Sequence, residues 1–227
     1  MAVKRSLSAS RMLGVFEEIV RSQPVGVSAL ARALDADKSA VQRDLMTLAD
    51  AGWIRPTPGT KAQWELTPHI LTLAQVPHSN DSLRQIAKPA MERLRTQTGE
   101  TVYLTVPHED HFVIIEALES PHMLRMVSPV GLEIPVEGSA TARAIFAHVP
   151  DKAELAGDRE NTLRQGYAVN DGDIVAGSVT MASAILGSDR APVGAIVVTG
   201  PADRITPDRR DEIGSALNDA AQFLSAV

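Results

Sequence analysis

The sequence predicts an α+β protein in two parts. Three observations carry that expectation. Residues 9–66 hold three helical patterns closed by a short hairpin pattern. After residue 100 come several β-rich runs, with an amphipathic helix on either side. The charge divides in the same way: residues 1–64 hold nine Lys+Arg against six Asp+Glu, a balance of +3, while the remainder carries −9 of the total −6. A split of this kind suggests two parts with different partners.

The totals bound the class. The 227 residues suit one large domain or two small ones, and 44% hydrophobic residues permit a sizeable core. The chain has no cysteine, so disulfides, thiolate metal sites and a Cys nucleophile are excluded, which fits a reducing cytosol. No apolar run approaches the roughly 18 residues needed to span a bilayer. The start, MAVKRSLSASRM, lacks the apolar stretch of a secretory signal. The expectation is a soluble cytoplasmic protein without a membrane partner.

The elements follow in order. Leu13, Phe16 and Val20, widened by Met12 and Ile19, predict a helix from about Ala9 to Ser22, ended by Gln23-Pro24. Gly26 can cap a second helix, VSALARALD, with Val25 and Leu30 at staple spacing. Asp37 can cap a third, whose stripe is Val41, Leu45 and Leu48, and Gly52 ends it. WIRP and AQWELT, joined by TPGTK, predict a hairpin. Three helices and a hairpin, with a brief turn between helices two and three, give a winged helix-turn-helix.

That plan gives the third helix a purpose. Its stripe anchors it on its neighbours, and its N-terminal end can enter a DNA major groove. Gln42 and Arg43 suit adenine and guanine edges, while Lys38 and Ser39 suit phosphates. The contacts expected from this reading are Lys38, Ser39, Ala40, Gln42 and Arg43 on the helix, with Thr60 and Lys61 in the wing. Trp53 and Trp64 flank the wing and are expected to pack it on the helices.

Beyond the wing, TPHILTLAQV predicts a linker helix. Ser82 to Thr98 predicts a longer helix with Leu83, Ile86, Met91 and Leu94 on one side and an interruption at Pro89. TVYLTV and HFVIIEAL form a hairpin, and LRMVS is a third strand candidate. SATARAIFAHV is a short helix, and residues 151–166 are charged and helical. YAV, SVTMASAIL and VGAIVVTG are further strands. A last helix runs from Pro207 to about Ala226 on Ile213, Leu217, Ala220 and Leu224. The sheet is mainly antiparallel, with helices over one face.

With these segments in order, the chain resembles the IclR-type transcriptional regulators from Arg11 to Val227. The resemblance rests on LARALDADKSAVQRDLMTLADAGWI, LRQIAKPAMERLRTQTGETVYL, LRMVSPVGLEIPV, GSATARAIFA, and GYAVNDGDIVAGSVTMASAIL with VTGPADRIT. It implies a winged helix-turn-helix domain over residues 1–66, a linker helix over 67–80 and a GAF-like effector domain over 81–227. It implies a bacterial homodimer or homotetramer on double-stranded operator DNA, with no cofactor. It implies a small-molecule effector, an organic or aromatic acid, held by Met123, Ile134, Ala140, Thr141, Asn170, Ser178, Thr180, Val197 and Thr199. The backbone N–H groups of Ala140 and Thr141 would cradle a carboxylate. Glu137 and Val179 depart from the family pattern, which admits a neutral or larger ligand. Asp44 replaces an apolar residue and is expected to turn away from DNA or pair with an Arg.

Other classes are weaker on the residues. PHEDH at residues 107–111 is metal-capable, but adjacent residues at a hairpin tip rarely converge on a metal. Asp171 and Asp173 in NDGD lack the spacing of an EF-hand loop. Ser139 and Ser178 have no nucleophile motif around them, and no dinucleotide fingerprint or phosphate loop is present. No catalytic or metal residue is therefore expected. The alternative to a regulator is a metabolite-binding protein that docks a protein partner through its winged helix.

Overall fold

The structure is a computed structural model that describes residues 6–59, 63–74 and 81–226. The chain divides into two compact units, residues 1–77 and 78–227.

The first unit has helices α1 (Leu7–Ser22), α2 (Val27–Ala33) and α3 (Lys38–Asp50), and a three-stranded sheet of β1 (Val25–Gly26), β2 (Ile54–Pro56) and β3 (Gln63–Leu66) in the order β1-β3-β2. The caps explain the boundaries. Asp37 accepts hydrogen bonds from the N–H groups of Ser39 (2.9 Å) and Ala40 (3.0 Å), satisfying donors that the helix start leaves free. The Ser39 hydroxyl, then these N–H groups, hold the Asp37 carboxyl below its usual range. Gly52 follows α3 at φ 81°, a conformation that a Cβ disfavours.

The core of this unit joins Ile19, Leu30, Val41, Leu45 and Ile54, all essentially inaccessible to solvent. The α1 stripe is shifted from the sequence expectation. Val15 and Ile19 are buried, while Leu13 and Val20 are exposed, so the buried side runs through Met12, Val15 and Ile19. Trp64 is buried in the core. Trp53 meets Phe16 edge-on at 5.2 Å and His69 at 5.3 Å, so both tryptophans pack the wing. The short helix α4 (His69–Ala74) closes the described part of the unit; the rest of the expected linker helix lies outside the described residues.

The second unit opens with α5 (Asp81–Thr98), which is continuous through Pro89. Pro89 is on the exposed side, so the Gln85 carbonyl that loses its usual N–H partner faces water. The hairpin of β4 (Thr101–His108) and β5 (His111–Leu118) follows, then β6 (Glu133–Pro135), α6 (Ala140–Phe146), a 3-10 segment (Pro150–Ala156) and α7 (Arg159–Gln165). β7 (Ala168–Asp171), β8 (Ser178–Leu186), β9 (Pro192–Pro201) and α8 (Pro207–Ser225) complete it. Six antiparallel strands run in the order β6-β5-β4-β9-β8-β7. This layout fits a GAF-like domain.

Two expectations are corrected here. LRMVS is not a strand; residues 119–132 cross as a loop, and the edge strand is β6 instead. The sheet is covered on both faces. α5 and α8 pack on one face around Leu104, Met181, Ile196 and Leu217, and α6 packs on the other around Phe112, Ala182 and Val197. The alanines of α6 (Ala140, Ala142, Ala144) make that second contact close, and a helix so short gave little periodic signal.

Candidate functional site

The recognition face of the first unit is a consequence of α3 packing. Val41, Leu45 and Leu48 turn inward, which leaves Lys38, Ser39, Gln42 and Arg43 exposed on the opposite side. Ala40 is 7% exposed and belongs to the buried side, so it is removed from the expected contact set. The Ser39 hydroxyl donates to Asp37 at 2.5 Å, which fixes its direction at the helix start. Asp44 is buried and takes a two-pronged ion pair from Arg11, at 2.7 Å from Nε and 3.2 Å from the second nitrogen. It therefore adds no free carboxylate to the outward face. Thr60 and Lys61 lie outside the described residues.

In the second unit the register of the sheet builds a cavity. On the α6 side, Tyr103, Val197, Ala182 and Ala168 stand in one row across β4, β9, β8 and β7. The Val197 to Ala168 part of that row is apolar and lies among the core residues around α6. The next row is Thr101, Thr199, Thr180 and Asn170. Thr199, Thr180 and Asn170 floor a cavity of about 240 Å³. Its walls come from the start of α6, from β6, and from the loops that carry Met126 and Val127 on one side and Ile174 and Val175 on the other.

Seven of the nine expected effector residues meet at this cavity: Ile134, Ala140 and Thr141, with Asn170, Ser178, Thr180 and Thr199. Two do not. Met123 is 97% exposed, because the loop brings Met126 rather than Met123 to the wall. Val197 is one row too far along β9 and is sealed in the core. Tyr103, Met126, Ile174 and Val175 line the cavity and were not singled out from the sequence. The alternation in TVYLTV carried the signal for Tyr103, since Val102 and Leu104 face the opposite core. Three wider clefts elsewhere on the unit, of about 450, 520 and 490 Å³, have linings that are more polar in proportion.

The polar groups of the cavity are mostly engaged. Asn170 donates to the Gly138 carbonyl and accepts from the Asp173 N–H at 3.1 Å. Thr180 and Thr199 bond each other at 2.9 Å, and Ser178 donates to the Val175 carbonyl at 2.7 Å. Asp173 and Asp171 are each held by an arginine, Arg143 at 2.6 Å and Arg210 at 2.7 Å, and this explains both carboxylates of NDGD as loop anchors. Thr141 Oγ1 is buried, and the polar group beside it is the Tyr103 hydroxyl. Burial pushes the neighbouring Tyr103 phenol well above its usual range, so it stays a neutral hydroxyl.

A winged helix with an outward polar helix end, on one chain with a ligand-sized cavity in a separate α+β unit, defines a ligand-responsive DNA-binding regulator. The family description "Bacterial transcriptional regulator IclR C-terminal" matches residues 75–157 and 149–226. The chain belongs to the IclR family of bacterial transcriptional regulators. It is 27% identical to the transcriptional repressor IclR of Escherichia coli K12, over 95% of this chain and 87% of that protein. An IclR family regulator from Brucella abortus has the same fold, with TM-score 0.82 at 20% identity over 98% of this chain and 93% of that one. So does an IclR homologue from Microbacterium hydrocarbonoxydans, solved in complex with 4-hydroxybenzoate, with TM-score 0.78 at 20% identity over 96% and 98%. The chain is a transcriptional regulator and not an enzyme.

Proposed function

We propose that this regulator reads its operator with the exposed start of α3 and is controlled by a small metabolite in the cavity of the second unit. The observation that carries the first half is the division of α3. One side is locked into the core by Val41, Leu45 and Leu48, and the other presents Lys38, Ser39, Gln42 and Arg43 to solvent. Gln42 and Arg43 read base edges, Lys38 and Ser39 hold phosphates, and Thr60 and Lys61 add backbone contacts from the wing. The cavity has the composition of a small-ligand site, an apolar wall with a few polar groups. The 4-hydroxybenzoate of the Microbacterium homologue supports an organic acid as the effector class.

The working form is a cytoplasmic homodimer or homotetramer. The units divide as a DNA-binding domain over 1–66, a linker over 67–80 and an effector domain over 81–227. The effector prefers one arrangement of the oligomer, and that preference changes operator affinity. The test is selection of the full-length protein against a random double-stranded DNA pool. Recovery of a pseudo-palindrome supports a dimeric operator binder. Recovery of no motif, with or without pooled metabolites, overturns the reading of α3.

A further inference from the structure

We infer that a second cleft of this unit, at the far end of α6 from the cavity, binds a phosphoryl group through Arg164 and Arg190. The cleft shares no lining residue with the cavity, so this site stands apart from the effector reading.

The cleft lies where α7, α8 and the turn between β8 and β9 meet, beside His148 just after α6, and has a volume of about 490 Å³. Its chargeable side chains are Arg164, Arg190 and His148, and no carboxylate is among the described lining residues. That composition runs against its surroundings. The chain beyond residue 64 carries −9. Elsewhere in the unit Arg84, Arg125, Arg143, Arg204 and Arg210 each pair with a carboxylate. Arg164 and Arg190 form no ion pair among the described residues. Arg164 donates to Asn161 Oδ1, a neutral partner. Asp189, next to Arg190, accepts from the Ala191 N–H at 3.0 Å and is held within the turn.

Arg164 alone would mean little, because the last turn of a helix favours a cation. Arg190 has no such reason to be where it is. It sits in its turn at φ 63°, a left-handed conformation in which glycine carries less strain. A long side chain kept there at a cost points to a use for that side chain. Its charge is felt at the cleft. After burial, which is the larger cause, Arg190 and Arg159 hold the His148 pKa below its ordinary value. Positive charge is crowded at this spot, and an anion relieves it.

The class of anion follows from the donors. Two guanidinium groups match a phosphoryl group, which carries a charge of about −1.5 to −2 and three strong acceptor oxygens. A single carboxylate is satisfied by one guanidinium. The hydroxyls of Ser183 and Ser225 are engaged, donating to the Gly166 carbonyl at 2.6 Å and the Ala221 carbonyl at 2.8 Å. The side-chain amides of Asn218 and Gln222 make no hydrogen bond among the described residues, and they line the cleft with Leu163 and Leu186. They offer contacts to the rest of a phosphorylated metabolite. Free phosphate and a phosphate ester share the chemistry of the arginines.

The test uses inorganic phosphate, adenosine monophosphate, adenosine and succinate as probes, at up to about 10 mM. Binding to the full-length protein is followed by phosphorus NMR and calorimetry. Both phosphates should bind. A tighter monophosphate identifies an ester as the ligand, and equal affinities identify free phosphate. Arg164→Gln and Arg190→Gly should each weaken the phosphates about tenfold. Both side chains are exposed, and glycine suits the backbone at position 190, so Tm should not fall and lost binding reports the site.

No binding of either phosphate, or variants that bind them like the parent, would overturn the proposal. So would adenosine binding as tightly as its monophosphate, or succinate as tightly as phosphate.

Discussion

At the residue scale, Glu100 and Arg204 show how much one pair can fix. Glu100 is 1% exposed, and Arg204 binds both of its oxygens, at 2.6 and 2.7 Å. A Cβ at position 200 would fall 2.5 Å from Glu100 Oε2, so β9 carries glycine where it passes the pair. Arg204 also donates to the Leu124 carbonyl at 3.0 Å, which ties down the loop that walls the cavity. Removing one member strands a buried charge. Arg204→Met should cost about 3 kcal/mol in chemical denaturation, and adding Glu100→Leu should recover most of that. A cost under about 1 kcal/mol, as for a surface pair, would show that the pair holds little. His148 gives a pH-dependent counterpart. Burial first, then Arg190 and Arg159, hold its pKa below the ordinary 6.5 in the folded state. The unfolded chain then binds the proton more readily. His148 therefore takes no stability from the fold above pH 6.5 and destabilises it as pH falls below that value. Between pH 7.5 and about 5.5, His148→Gln should lose less stability than the parent; equal losses would remove His148 from the acid response.

At the scale of elements, α8 sets two effects of opposite sign against each other. Gly214 lies inside this helix, where alanine is favoured by about 1 kcal/mol. A Cβ there would approach the Tyr167 ring to 2.2 Å. The ring is fixed between β7 and α8, its hydroxyl donating to Asp211 at 3.0 Å. Overpacking costs about 1–3 kcal/mol and outweighs the propensity gain, so Gly214→Ala should lower Tm. A rise would mean that the ring yields freely. The same contrast explains what the sequence revealed. Elements with long periodic stripes were legible: α3 buries Val41, Leu45 and Leu48 as expected, and α8 buries Ile213, Leu217 and Leu224, while Ala220 is only partly buried and Ala221 takes its place. Asp44 was expected to turn away from DNA or to pair with an arginine, because a free carboxylate there would repel phosphate, and it pairs with Arg11. LRMVS was not, since β-favouring residues there are held by loop contacts such as Thr101 to the Met126 carbonyl, at 2.7 Å. The α1 phase was misplaced because Leu13 and Val20 are apolar yet exposed. At the cavity, resemblance brought seven residues to the lining and missed by one row at Val197 and by three positions along the loop at Met123. Row and loop path are set by pairing across the sheet, which a linear reading does not contain.

At the scale of the whole molecule, the charge distribution decides what kind of DNA binder this is. The net charge is −6, yet residues 1–64 carry +3. Attraction to phosphate must then come from a few cations in one part of the chain, against an acidic remainder that repels DNA where screening is weak. Binding should still weaken with salt, with a slope near −0.9 for each phosphate neutralised, so a small set of contacts gives a shallow slope. Lys38 and Arg43 separate the two contributions. Both are exposed on α3, one at its first turn and one on its outward side. Lys38→Ala should lower affinity by a similar factor for operator and unrelated DNA, and reduce the salt slope by about 1. Arg43→Ala should cost about 1–3 kcal/mol on the operator, relax base preference at one position of each half-site, and leave nonspecific affinity nearly unchanged. Titrations of both variants on operator and scrambled duplexes across a salt series measure all four quantities. If Arg43→Ala weakened both duplexes equally, Arg43 would be a phosphate contact, and base reading would fall to Gln42 and the wing.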